Sequence, residues 1–143
     1  MNSTRYSPIA LFVYNRPLHT SKVMKALAGN SLAKESVLYV FSDAPRTDKD
    51  SVDVGKVRDI LKNSASGFKR IIIKYREVNN GMEKSLLSGL NEVFKVHDKV
   101  IFLEDDIITS ENFLTYMNKA LTAYTDNKKI FSISAYNYPL DEL

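Results

Sequence analysis

Residues 99–113 read KVIFLEDDIITSENF, and the rest of the chain is best understood outward from them. Val100 to Leu103 is a short apolar run of β-branched and aromatic residues, the pattern of a buried strand. It runs directly into Glu104, Asp105 and Asp106. Thr109-Ser110 then offers an N-cap for a helix over about residues 111–126. Open α/β sheets bind ligands beyond the carboxyl ends of their strands, so acids placed there mark a candidate site. Adjacent carboxylates repel one another and call for a neighbouring positive charge. A hard divalent cation, Mg²⁺ or Mn²⁺, suits such oxygens. The competing reading is an acidic loop that complements the positive end of the following helix. If the extended geometry continued, Glu104 and Asp106 would share one side and Asp105 would face away.

Upstream, Pro8–Tyr14 (PIALFVY) is a strand, and Asn15-Arg16-Pro17 breaks it into a helix with Leu18, Val23, Met24 and Leu27 on one face. Gly29-Asn30 is its stop signal. Val37–Phe41 is a second strand running into Ser42-Asp43-Ala44-Pro45. A helix over about 48–64 follows, with Thr47 and Asp50 as its capping box. Lys69–Arg76 is a third strand whose basic flanks suit a sheet edge. The helix over about 81–97 has Asn80 and Glu83 as a capping pair. Met82, Leu86, Leu90, Val93 and Phe94 form its expected inner face, and Gly89 allows close packing at a cost in helix propensity. Downstream of the acidic cluster, the last helix buries Phe113 or Leu114, Met117, Leu121 and Tyr124. Ile130–Ala135 is expected as a fifth strand, and Tyr136–Leu143 as a polar, aromatic tail.

The order βαβαβαβαβ, with a helix in each connection, predicts right-handed crossovers. The fold class is therefore α/β: a three-layer αβα arrangement around a mostly parallel, Rossmann-like sheet. Such a sheet brings Asn15-Arg16, Ser42-Asp43, Glu77 with Asn79-Asn80, and Glu104-Asp105-Asp106 to one rim. There an aspartate can accept from a nucleobase N–H, an arginine can clamp a phosphate, and a carboxylate can hold a metal that bridges diphosphate oxygens. Taken singly, each has a plainer reading: Asp43 as a turn residue, Arg16 as a solvated helix start, Asn80-Gly81 as a turn and cap.

The 143 residues fit one domain, and a 44% hydrophobic content permits a real core. A net charge of +3 from scattered residues gives no nucleic-acid footprint. The absence of cysteine excludes disulfides and thiolate metal sites. His19 and His97 read as surface residues rather than ligands. No apolar run has the length of a membrane span and residues 1–7 are polar, so a cytoplasmic location is expected. There is no GxGxxG, Walker loop or Ser/His/Asp constellation. A phosphoacceptor receiver domain ranks low, because the first strand ends in Asn15-Arg16 rather than an acidic pair.

PIALFVYNRP, FSDAP, VIFLEDDIITSENFLTYM and SISAYN resemble the nucleotide-binding half of GT-A glycosyltransferases. The similarity is nearest to the N-acetylglucosaminyltransferase I type and looser to the family-2 group, and it covers about residues 8–138. It implies transfer of a sugar, with inversion, from a nucleoside-diphosphate sugar, a UDP-sugar, to a saccharide or other acceptor hydroxyl. It implies Asp106 as the ligand of Mn²⁺ (or Mg²⁺), Asp105 on the ribose and Glu104 supporting the nucleotide site. Asp43 would accept from uracil, and Arg16 would lie against the nucleotide or its diphosphate. Ser85 falls near a donor-contacting position, though its residue type departs from the family. The family's general base lies further downstream, and no residue of this chain is assigned that role. Residues 1–143 are thus expected to be a single donor-binding domain lacking the acceptor-binding half. The alternative is a non-catalytic nucleotide-binding or regulatory module of the same fold.

Overall fold

The computed structural model describes residues 5–64 and 66–136. The expected tail beyond Tyr136 lies outside them. Four strands alternate with helices: β1 (Ile9–Val13), α1 (Pro17–Ala28), β2 (Val37–Ser42), α2 (Asp48–Asn63), β3 (Arg70–Tyr75), α3 (Gly81–Phe94), β4 (Ile101–Glu104) and α4 (Phe113–Ala123). A short 3-10 helix, Ala33–Glu35, precedes β2. The sheet has the order β3-β2-β1-β4, and every pairing is parallel. Ile9 sits opposite both Leu38 and Ile101, and Leu11 opposite Val40 and Leu103.

Alternation along β1 divides the core between two faces. Ile9, Leu11 and Val13 pack with Val23, Met24 and Leu27 of α1, Val57 and Leu61 of α2, and Leu114 and Met117 of α4. Ala10 and Phe12 belong to the other face, with Phe41, Tyr39, Val93 and Leu90, where α3 lies. Two central strands covered on both sides explain the unbroken apolar runs IALFV and VLYVF.

Handedness accounts for this layering. The chain moves from β1 to β2 to β3 in one direction and puts α1 and α2 on one face. It then reverses to reach β4, and a right-handed crossover in that direction must place α3 on the opposite face. The reversal lies between β1 and β4, so the carboxyl ends of these two strands flank a topological switch point.

The expected fifth strand is not formed. Residues 130–136 lack regular secondary structure, and the Phe131 ring is fully exposed. The reason is topological. α4 packs on the α1/α2 face, and a right-handed crossover through that face leads from β4 back toward β1, which already has neighbours on both sides.

Two helix ends also differ from expectation. α3 has no side-chain cap from Asn80; its first amides are held by Asp43 instead. α4 starts at Phe113 rather than near 111, with the Leu114 N–H donating to Asn30 Oδ1 at 2.9 Å. Asn30 also donates to the Ala26 carbonyl and to Thr109, so this buried residue ties the end of α1 to the start of α4. The Thr47–Asp50 box at α2 is present, with Asp50 accepting from the Thr47 N–H at 3.1 Å. Among the described residues, no helix is long and apolar enough to cross a membrane.

Candidate functional site

The carboxyl ends of the strands open into a cleft of about 390 Å³. β1 contributes Phe12, Val13 and the following Tyr14. Asp43 and Arg46 come from the loop after β2. Asn79, Gly81, Met82, Ser85 and Leu86 come from the start of α3, and Glu104 and Asp105 from the end of β4. A larger, more open groove runs between α1 and α2, lined by Arg16, Leu18, His19 and charged residues of both signs, but it contains none of the strand-end acids.

Asp43 is almost fully buried. Its carboxylate accepts the N–H groups of Ala44 at 3.0 Å, Asn80 at 3.1 Å and Gly81 at 3.1 Å. It therefore caps α3 from across the sheet edge, a charge well placed against the positive end of that helix. Asn79 reinforces the junction by donating to the Ala44 carbonyl at 2.6 Å and accepting from the Gly81 N–H. Gly81 adopts φ +73, a left-handed backbone that glycine takes without penalty.

The acidic triplet does not continue the strand. β4 ends at Glu104, and a turn follows in which the Ile107 N–H donates to the Glu104 carbonyl. The expected alternation is thereby broken. Glu104 and Asp105 line the cleft together, while Asp106 is half-exposed and reaches Arg16. Asp105 is buried, and Oδ2 accepts from the Tyr14 N–H at 3.3 Å. Burial raises its carboxyl above the ordinary range; the Tyr14 N–H and the Arg16 charge work in the opposite direction. Arg16 Nη1 lies 2.8 Å from Asp106 and 3.7 Å from Asp105.

The structure thus places Asp43, Glu104, Asp105 and Ser85 around one cleft, with Arg16 and Asp106 paired beside it. His19 lies in the α1/α2 groove, and His97 hydrogen-bonds Tyr39 on the α3 face. Sequence reasoning did not single out Tyr14 or Arg46 for the site, and it assigned Phe12, Met82 and Leu86 to the core. The Tyr14 hydroxyl accepts from the Arg46 N–H at 2.9 Å and so fixes the loop after β2. Burial raises the Tyr14 phenol above its ordinary value.

Among the described residues, no three His, Asp or Glu side chains converge as a preformed metal cage. A Mg²⁺ site built of one or two protein carboxylates, with phosphate oxygens and water completing the shell, needs no such cage. Asp106 is the most exposed of the three carboxylates and the nearer of the two that face Arg16.

The fold is a Rossmann-like αβα fold, a four-strand all-parallel sheet flanked by helices. In particular, the chain is similar to the crystal structure of S. aureus TarS 1-349, with a TM-score of 0.59 and 15% identity over 82% of this chain. The chain spans 33% of that structure's length, and the likeness is one of fold. No family model matches the sequence. Nor does any curated protein.

Proposed function

We propose that this chain is the donor-binding part of a metal-dependent glycosyltransferase whose donor is a UDP-sugar. One observation carries the reading: Glu104 and Asp105 share a cleft with Asp43 at the sheet's switch point, and Asp106 stands beside it on Arg16. The likeness of fold to the TarS structure supports it at the level of architecture.

Asp105 and Glu104 would accept hydrogen bonds from ribose hydroxyls, in a site sheltered enough to make those bonds count. Phe12, Met82 and Leu86 give the cleft apolar wall for a planar base. Each Asp43 oxygen already meets two backbone N–H groups, the Asn80 N–H being shared between the two, so a base N–H would bond there by displacing part of that shared contact. Asp106 would hold the divalent cation, which supplies charge stabilisation to the departing diphosphate. In the inverting reaction the acceptor oxygen bonds to the anomeric carbon as the bond from that carbon to the diphosphate breaks. The acceptor proton passes to a base outside the residues assigned here.

Calorimetry tests the reading. UDP binding should require Mn²⁺ and disappear in Asp106→Ala. Metal-linked UDP binding that survives unchanged in that variant overturns the assignment. Product formation from UDP-sugars and simple acceptors then separates an enzyme from a binding module.

A further inference from the structure

Negative charge entering the cleft needs a seat, and the evident ones are filled. The N-terminus of α3 is a natural anion site, but its first amides already donate to Asp43. Arg16 is held by Asp106 and Asp105. Arg58 donates to the carbonyls of Asp43 and Arg76, and Arg76 pairs with Glu92 at 2.7 Å.

Arg46 stands apart from these. It lines the cleft and also the wall of an adjoining hollow of about 450 Å³ formed with Pro45 and residues 77–81. Its side chain is exposed and makes no ion pair with any described residue. Glu77 lines the same hollow without pairing to it. Of the acids near it in sequence, Asp43 is committed to backbone amides, Asp50 to Thr47 and Asn15, and Asp48 makes no ion pair with it. Its backbone is pinned, because its N–H donates to the Tyr14 hydroxyl and the next residue begins the α2 cap. The guanidinium thus extends from a fixed point, free to take a ligand.

Resting on the nucleotide reading above, we infer that Arg46 binds the phosphates of the nucleoside diphosphate, the role sequence alone gave to Arg16. The planar fork of the guanidinium matches two phosphate oxygens at once. Glu104 and Asp105 repel phosphate and accept from hydroxyls, so the unequal charge of the lining also sets which way round the ligand enters.

The experiment compares uridine, UDP and inorganic pyrophosphate by calorimetry, with Mn²⁺ present, on wild type and Arg46→Gln. The variant keeps the backbone N–H that anchors the loop, so its melting temperature should match wild type and certify the fold. Arg46→Gln should weaken UDP by about tenfold to a hundredfold. Uridine affinity should stay unchanged, and Arg46→Lys should restore only part of the loss. Unchanged UDP affinity, or an equal loss of uridine and UDP, overturns the inference. If wild type binds no UDP, the nucleotide reading itself has failed, and pyrophosphate decides for Arg46: binding lost in Arg46→Gln supports the anion seat, and no binding to wild type overturns it.

Discussion

Asp43 and Asp105 are both buried carboxylates on the same rim, yet their surroundings make them opposites. Asp43 is met by amides and helps hold the structure together; Asp105 is buried with little compensation and strains it. Asp43→Ala leaves buried N–H groups without acceptors and should cost about 2–3 kcal/mol in urea denaturation. Asp43→Asn, which keeps one acceptor oxygen, should lose less. Asp105 behaves in the reverse sense. Its carboxyl is raised by burial, so the charged form is disfavoured in the folded state relative to the unfolded chain. That penalty is full at neutral pH and vanishes as pH falls through the raised value toward the ordinary one. Asp105→Asn should therefore melt higher than wild type at pH 7, with the gap closing on acidification, while UDP binding weakens. Thermal denaturation across the carboxylate range checks the sign. The position of both residues at strand ends was legible in the sequence. Their partners were not, because the amides of Asn80 and Tyr14 that they accept from lie on distant segments and carry no side-chain signature.

At the scale of elements, α3 shows what a hydrophobic pattern hides. Its large apolar residues suggested an inner face through Met82 and Phe94, but these are 74% and 48% exposed. The buried stripe is Ser85, Gly89 and Val93, spaced one turn apart. Phe12 and Phe41 are stacked with centroids 4.9 Å apart and occupy the space where larger side chains would sit. A Cβ on Gly89 would meet Phe12 Cε1 at 2.6 Å and Phe41 Cδ2 at 3.1 Å. Small residues therefore face the rings, and Met82 and Leu86 flank them as cleft wall. Gly89→Ala should destabilise by about 1–2 kcal/mol, because overpacking outweighs the roughly 1 kcal/mol of helix propensity gained. It should also weaken ligand binding, since Phe12 lines the cleft. Gly55, inside α2, has open space around the same added carbon. Gly55→Ala should stabilise by about 0.5–1 kcal/mol. The pair, measured in one denaturation series, separates propensity from packing.

For the molecule as a whole, the sequence shows elements more readily than it shows order. Four strands and four helices were readable because each carries its own period and punctuation. The fifth, Ile130–Ala135, carries a strand-like run as well, and local pattern has no means to refuse it. What refuses it is a global rule: the face on which α4 packs, combined with crossover handedness, directs the chain away from the free side of β4. The site follows from the same geometry, since the reversal that strands β4 beside β1 also brings the acids of residues 104–106 against Tyr14 and Arg16. Energetics should report the difference between the two kinds of apolar run. Leu11 is fully buried in the central strand, and Leu11→Ala should cost about 2–5 kcal/mol through lost transfer energy and the cavity left behind. Phe131 is 103% exposed, and Phe131→Ala should change stability by less than about 0.5 kcal/mol. A loss at Phe131 comparable with that at Leu11 would mean that residues 130–135 pack as a strand after all, and the handedness argument would then have to give way.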